Sequence, residues 1–180
     1  MRRLELQEQC GAQNHRALVE LAQAHGTPLA SHDDTTADHV AEAIADRVAI
    51  AEFPTTTEAA AALHAAGIRV LMGAPNLVRG GSHSGNVASR DLAASGHLDI
   101  LSSDYVPQSL LMAAIAMPEI VPGIDLAAAV RTVTKTPAEA VGLNDRGEIT
   151  PRRRADLIRV SVARNVPVVR SAWRLGRRVA

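Results

Sequence analysis

The chain has 180 residues, with 19 acidic and 19 basic side chains and a formal net charge of zero at pH 7. This balance leaves no basic surface of the kind that nucleic acid or an anionic membrane attracts, so we expect neither as a partner. One phenylalanine, one tyrosine and one tryptophan are too few for base-stacking platforms. Cys10 is the only cysteine, which excludes a disulfide framework. The chain has neither a membrane-length apolar run nor the apolar core of a signal peptide, which predicts a cytoplasmic location.

The polar, alanine-rich start of the chain predicts a helix. Leu18, Leu21 and Ala22 form an apolar stripe at helical spacing, and Gly26 is typical of the residue that ends a helix. Capping-box spacing of Thr35 with Asp38 marks the start of a second helix.

Four short apolar runs lie between residues 28 and 104. Each ends in polar residues and is followed by a helical segment. These predicted strands are 28–32, 48–53, 68–72 and 99–104. Strands that alternate with helices predict a parallel sheet with right-handed crossovers, as in a barrel or a doubly wound sheet. In such folds functional sites are built at the carboxyl ends of the strands.

After Pro122 the pattern changes to two short helices, over 125–133 and 136–141. The end of the chain then shows short β-like runs punctuated by glycine and proline, at 148–149, 156–162, 166–169 and near 178–179. We therefore predict an α/β partial barrel over 1–145 and a small β segment over 146–180.

Polar side chains stand at the end of each predicted strand. His32, Glu52 and Asp104 offer one imidazole and two carboxylates, which are ligands for a divalent metal with an open position for water. Asp104 is also a candidate to accept a proton from an attacking water. Each has a plain structural alternative, because histidines and aspartates at strand ends also cap helices and close turns, and Glu52 could be a charge on an edge strand.

The stretch from Met72 to Asn86 contains four glycines that can bring backbone N–H groups close to a ligand. With Arg79 beside them, these donors suit a phosphate-bearing ligand, and the alternative is a glycine-rich surface turn. The candidate phosphate-binding residues are Arg79, Gly80, Gly81, Ser82, Ser84 and Asn86.

Four motifs together resemble the phosphonate-metabolism branch of the amidohydrolase superfamily. They are S-H-D-D-T-T at 31–36, A-E-F-P-T-T at 51–56, M-G-A-P-N-L-V-R-G-G-S-H-S-G-N at 72–86 and L-S-S-D-Y-V-P at 101–107. The tail, with T-K-T-P-A at 134–138 and A-D-L-I at 155–158, is similar to the segment where amidohydrolases leave the barrel for a small β domain.

The resemblance implies a (β/α)₈ barrel with a divalent metal at its mouth, zinc or else manganese. The implied reaction is hydrolysis of α-D-ribose 1-methylphosphonate 5-triphosphate to the 5-phosphate and pyrophosphate, in the carbon–phosphorus lyase pathway. His32 would be the fifth-strand metal ligand, and Asp104 the eighth-strand ligand or general base. Glu52 departs from the histidine that many amidohydrolases carry after the sixth strand, so His83 is its rival as a ligand.

The length departs from the family, because a full barrel takes about 250 residues. The chain supplies what resemble strands five to eight, and half a barrel exposes unpaired sheet edges that invite association. We therefore expect a fragment that is weakly active alone, and that associates with itself or with the missing N-terminal half.

Two other functions stay open. One is an amidohydrolase acting on a C–N bond, although a neutral amide would not need the glycine–arginine stretch. The other is a non-catalytic half-barrel that binds a phosphosugar and needs a partner chain.

Overall fold

The computed structural model describes residues 2–82 and 85–180, with side chains from residue 9 onward. The helices are α1 (Arg2–His25), α2 (Ala37–Ala45), α3 (Thr57–Ala65), α4 (Ala74–Arg79), α5 (Ser89–Ala94), α6 (Ser109–Ile120), α7 (Leu126–Arg131) and α8 (Lys135–Ala140). The strands are β1 (Ala30–His32), β2 (Ile50–Glu52), β3 (Arg69–Gly73), β4 (Ile100–Ser102), β5 (Leu157–Ala163), β6 (Val166–Arg174) and β7 (Arg177–Arg178).

The first four strands form one parallel sheet in the order β1-β2-β3-β4. This confirms the predicted parallel α/β architecture, and each strand lies within or beside its predicted run. Consecutive strands are neighbours, so every crossover helix returns the chain to the next position in the sheet. The carboxyl ends of all four strands therefore share one edge.

The core of this unit is aliphatic and lies between the sheet and the helices that follow its strands. Its largest fully buried side chains include Leu63, Val70, Leu77, Leu92 and Met117. One comes from a strand and four from helices, so each crossover helix is held by burial of its own apolar face.

Helices α2 and α3 begin in the same way. The hydroxyl of Thr36 accepts a hydrogen bond from the backbone N–H of His39, and that of Thr56 accepts one from Ala59. The cap of α2 falls one residue later than the sequence predicts. The hydroxyl of the predicted cap Thr35 is used otherwise, because it donates to the carbonyl of Asp33 and accepts from the hydroxyl of Thr55.

The predicted glycine-rich loop over 72–86 is partly wrong, because residues 74–79 form α4. Pro75 stands in the first turn of α4, where its missing N–H costs no hydrogen bond. Gly80 ends the helix in a left-handed conformation with φ of 83°. The glycine-rich loop thus begins at the end of a helix rather than at the end of the strand.

Helix α1 confirms the predicted N-terminal helix, but its apolar stripe is not covered. Leu18 and Leu21 are 64% and 57% exposed.

Within the described part of the chain, no helix combines the length and the apolar character needed to cross a membrane. The cytoplasmic location stays a prediction.

The C-terminal segment forms a separate antiparallel sheet in the order β5-β6-β7. Residues 148–149, predicted as a strand, are irregular. The Glu148 carboxylate turns back to accept from Lys135 Nζ at 2.7 Å and from Arg153 Nη2 at 3.3 Å, while Ile149 is 87% exposed. Glu148 thus forms ion pairs, and residues 148–149 do not join a sheet.

Contacts cross the predicted boundary between 1–145 and 146–180 at several points. Besides Lys135 with Glu148, the backbone N–H of Arg154 donates to the carbonyl of Asp145 at 2.6 Å. Gly147 packs directly on the backbone of Lys135. The division into two domains stays a prediction, and the two parts are bound closely here.

We expect Gly147→Ala to destabilise the fold more than Gly142→Ala. Both glycines have positive φ, of 95° and 74°, so each substitution carries a left-handed penalty of about 1–2 kcal/mol. A Cβ at Gly147 would also lie 2.7 Å from Lys135 Cα, whereas one at Gly142 meets no atom within 4 Å. Overpacking adds about 1–3 kcal/mol, so urea unfolding should show an earlier midpoint for Gly147→Ala. Equal midpoints would contradict the close contact.

The ion pairs of Glu148 predict a loss of stability in acid. The hydrogen bond from Lys135 holds the pKa of Glu148 below its ordinary value, with Arg153 contributing to the same effect. A depressed folded-state pKa stabilises the fold above the ordinary glutamate pKa of about 4.3, and this contribution disappears as the pH falls through the folded value. Thermal unfolding of Glu148→Gln should therefore depend less on pH in this acid range than that of the wild type. Glu20→Gln, which removes a charge on α1, should keep the wild-type dependence.

Candidate functional site

Strand register determines which side chains meet at the carboxyl edge of the parallel sheet. His32 lies beside Glu52 at the ends of β1 and β2, and Gly73 lies beside Ser102 at the ends of β3 and β4. The backbone then turns sharply, because Asp33, Phe53 and Asp104 have φ of 61°, 55° and 48°. Left-handed non-glycine residues cost about 1–3 kcal/mol each and are concentrated at functional sites. The edge thus carries strain as well as polar side chains.

A cavity of about 180 Å³ opens at this edge. Four of the predicted site residues line it, namely Arg79, Ser82, Asn86 and Asp104. Binding sites for whole small molecules are typically 300–1,000 Å³, so this cavity has room for part of a ligand such as a phosphate group.

Arg79 ends α4 and is exposed at the cavity wall. Its Nη1 donates to the Tyr105 hydroxyl at 3.2 Å, and its Nη2 donates to the carbonyl of Gly81 at 3.3 Å. These bonds tie the guanidinium both to the chain after β4 and to the glycine-rich loop. A guanidinium held this way presents a fixed fork of donors, which matches phosphate geometry.

Asp104 stands over the end of β3. Its Oδ2 lies 3.2 Å from the position that a Cβ on Gly73 would occupy, and the Phe53 ring lies 3.5 Å from that position. Gly73 has an ordinary φ of −74°, so its backbone does not require glycine. The absence of a side chain at Gly73 is what gives the Asp104 carboxylate its place.

The loop between α4 and α5 is anchored at its return. The side-chain oxygen of Asn76 accepts from the backbone N–H of Ser89 at 2.9 Å, and the Ser89 hydroxyl donates to the carbonyl of Gly73. The backbone N–H of Val87 donates to the carbonyl of Thr55 at 3.0 Å. Residues 87–89 are thereby held to the connection after β2, to the end of β3 and to α4.

His32 is not part of the cavity lining. Its Nδ1 lies 3.0 Å from the Asp33 carboxylate, and its ring packs edge-on against Phe53 with centroids 5.4 Å apart. An imidazole with one nitrogen held by a carboxylate is oriented to use the other nitrogen as a ligand. Asp33 does line the cavity, so it connects His32 to the wall that carries Asp104.

The other predicted residues are less engaged. Glu52 is half-buried at the end of β2, and Gly80 and Gly81 follow α4; none of the three lines the cavity. His83 and Ser84 lie outside the described residues, so their predicted roles stay predictions.

The donor chemistry of His32 and Asp104 fits a divalent metal, but the number of ligands does not complete a site. His32 ends β1 and Asp104 follows β4. These two strands are three positions apart in the sheet, which is about 14 Å at the usual strand spacing of 4.7–4.9 Å. Among the described residues, the one trio of His, Asp or Glu side chains close enough to share an ion is His15, Glu42 and Asp46, on α1 and α2. That trio is not at the sheet edge.

Asp33, Phe53, Asn76 and Tyr105 also line the cavity, although the sequence analysis did not name them as site residues. Asp33 and Phe53 had a signal in the sequence, since Asp33 directly follows a predicted strand and Phe53 is the last residue of one. Asn76 and Tyr105 had none, because their roles depend on contacts with residues 13 and 26 positions away.

These features define a parallel α/β protein with its polar side chains at the carboxyl edge of the sheet, and the amidohydrolase family profile matches residues 6–173. The chain belongs to the amidohydrolase family. It is 51% identical over 167 residues to alpha-D-ribose 1-methylphosphonate 5-triphosphate diphosphatase of Escherichia coli (strain K12). That match takes in 92% of the chain and 44% of the relative, so the chain spans less than half of the relative's length.

Solved structures show the same fold at low identity. Molinate hydrolase matches with a TM-score of 0.66 at 16% identity, over 90% of this chain and 44% of its own. An amidohydrolase matches with a TM-score of 0.65 at 18% identity, over 91% of this chain and 47% of its own. Ochratoxinase of A. niger matches with a TM-score of 0.59 at 16% identity, over 89% and 43%.

The anchor at Asn76 predicts different effects for two asparagines of the same cavity. In Asn76→Ala the N–H of Ser89, a residue that is 0% exposed, loses its acceptor, which should cost about 1–3 kcal/mol of unfolding free energy. Asn86→Ala removes an exposed side chain and should change stability by less than about 0.5 kcal/mol. Urea denaturation of both variants measures the difference. Equal stabilities would show that the loop is not anchored through Asn76.

Proposed function

We propose that this chain forms the phosphate-binding side of a metal-dependent diphosphatase. The substrate would be α-D-ribose 1-methylphosphonate 5-triphosphate, and the products the 5-phosphate and pyrophosphate, within phosphonate breakdown in the cytoplasm. The observation that carries the proposal is the 51% identity to a diphosphatase of that name, combined with a cavity lined by Arg79, Ser82 and Asn86.

The triphosphate would enter at the glycine-rich loop. Arg79 would donate two hydrogen bonds to phosphate oxygens, while Ser82 and Asn86 would donate from their hydroxyl and amide groups. Gly80 and Gly81 would allow the backbone to approach the same oxygens, and Ser84 belongs to the same proposed set. The cavity volume of about 180 Å³ suits one end of the substrate, which leaves the ribose to extend outward.

Asp104 is the proposed general base. The oxygen of a water would attack a phosphorus atom, the bond from that phosphorus to the pyrophosphate oxygen would break, and the water's proton would pass to the Asp104 carboxylate. The place of Asp104 in the cavity lining, with its Oδ2 beside Gly73, supports this role. Charge that develops on the phosphate oxygens would be offset by Arg79.

A divalent metal, zinc or manganese, would bind to His32 and Asp104, with Glu52 or His83 as further candidates. When bound, such an ion neutralises phosphate charge and lowers the pKa of a coordinated water. The remaining ligands would come from outside the described residues, in the assembled (β/α)₈ barrel of which this chain would form one half. We propose residues 1–145 as its barrel part and 146–180 as its β segment.

A chimera tests the proposal directly. The aligned region of the Escherichia coli relative is replaced by this chain, and pyrophosphate release from the 5-triphosphate is followed by ³¹P NMR with added Zn²⁺ or Mn²⁺. We expect turnover in the chimera, a loss of at least about 100-fold in Asp104→Asn, and wild-type turnover in Asp91→Asn, an exposed aspartate of α5. A folded chimera without turnover would refute the proposal.

The 180-residue chain alone should show little turnover in the same assay, because the metal ligands among its described residues are incomplete. Turnover by the chain alone, equal to that of the chimera, would contradict the proposed half-barrel.

A second candidate is a non-catalytic phosphosugar-binding half-barrel. It is favoured by the observation that the described residues of the sheet edge do not gather three metal ligands. The chimera separates the two functions, since a binding protein would bind the triphosphate without releasing pyrophosphate.

Loss of the Arg79 guanidinium should weaken triphosphate binding. Charge-assisted hydrogen bonds contribute about 1.5–3 kcal/mol, so we expect binding of manganese–tripolyphosphate to fall about 10- to 150-fold in Arg79→Ala. Arg79→Lys should be intermediate, because it keeps the charge and loses the fork. Calorimetry measures the affinities, with Arg131→Ala on α7 as the matched control. Unchanged affinity in Arg79→Ala would remove Arg79 from the phosphate site.

A further inference from the structure

Helices α1 and α2 bring one histidine and two carboxylates together in the groove between them. His15 comes from α1, while Glu42 and Asp46 stand four residues apart on α2 and at its end, on one face. One ligand atom from each lies within 4.8 Å of the other two. None of the sequence motifs described above and no feature of the proposed diphosphatase site involves these residues.

The carboxylates converge on a single nitrogen. His15 Nε2 lies 2.6 Å from Asp46 Oδ2 and 3.6 Å from Glu42 Oε1. A ring nitrogen carries one proton at most, so it can satisfy one carboxylate fully and leaves the second with only a distant contact. Among the described residues, the ion pairs that Glu42 and Asp46 form are both with His15.

We propose that His15, Glu42 and Asp46 bind a divalent transition-metal ion, zinc being the best fit. One imidazole and two carboxylate oxygens are ordinary zinc ligands, and a water would take the fourth position. With metal–ligand bonds of about 2.0–2.1 Å, neighbouring ligand atoms of a tetrahedral site lie roughly 3.3 Å apart. The His15–Asp46 distance would open by less than an ångström, and the exposed Glu42 side chain would rotate inward.

The surroundings suit a cation. Arg16 and Glu20 line the same groove as the three ligands, and their opposite charges offset each other. The negative charges of Glu42 and Asp46 are then not balanced by any other arginine or lysine among the described residues that line the groove. A divalent ion would balance both carboxylates, which a proton on His15 cannot do.

The site would join α1 to the rest of the fold. Leu18 and Leu21, the large apolar side chains of the α1 stripe, stay mostly exposed, so burial does little to hold this helix. A metal bridge between His15 and α2 would supply the missing attachment. The bridged helix carries no residue of the proposed phosphate site, so the metal here is structural.

Zinc binding to the 180-residue chain, measured by calorimetry, tests the proposal with four proteins. The wild type and His25→Ala, a control at the end of the same helix, should bind zinc at this site. His15→Ala should lose that binding by at least about 100-fold, since loss of a supporting residue alone costs 10- to 100-fold. His32→Ala should retain it, which separates this site from the proposed catalytic metal.

Two further measurements keep the test decisive. Alanine is a better helix former than histidine, so α1 should persist in His15→Ala. A second variant, Glu42→Gln, removes a ligand from α2 instead. Zinc should raise the unfolding temperature of the wild type and of His25→Ala, and leave those of His15→Ala and Glu42→Gln unchanged. Equal zinc affinity in wild type and His15→Ala, or a loss found in His32→Ala instead, would overturn the proposal. Either result would leave the diphosphatase proposal standing.

Discussion

Parallel pairing of β1 to β4 is the constraint on which the candidate site depends. Because the strands run the same way in consecutive order, their carboxyl ends lie along one edge. The register places His32 level with Glu52, and Gly73 level with Ser102. The register therefore fixes where the loop after each strand begins. Asp33 and Asp104 consequently line one cavity, although they follow strands at opposite edges of the sheet. A shift of one residue in any strand would send these side chains to the other face.

The same pairing sustains the strain at this edge. The backbone N–H of Asp33 donates to the carbonyl of Glu52, and that of Phe53 donates to the carbonyl of Leu71. These bonds continue the sheet pattern one residue beyond the strands, at the positions where the backbone becomes left-handed. A conformation that is unfavourable for phenylalanine persists because the neighbouring strand holds it. The strained residues then direct the next segments over the cavity.

The sequence allowed the strands and the polar edge to be predicted because both depend on local patterns. Short apolar runs that end in polar residues revealed β1 to β4, and four of the residues predicted for the site, Arg79, Ser82, Asn86 and Asp104, line one cavity. Helix α4 was not predicted, because the glycines of 72–86 favoured a loop. Pro75 and Gly80 are nevertheless typical of the first turn and of the end of a helix. The contacts of Asn76, Tyr105 and His15 join residues 13 to 31 positions apart, which a single sequence does not encode as a pattern.

The charges of the cavity explain why phosphate binding and metal binding should depend on each other. Among its described lining residues, Asp33 and Asp104 are acidic and Arg79 is basic. A triphosphate that entered this lining would meet a net negative charge, which Arg79 alone does not offset. A divalent ion beside Asp104 would reverse that balance and make the cavity attractive to the polyphosphate. His32 lies outside the lining, and its Nδ1 is held by the carboxylate of Asp33, which is a lining residue.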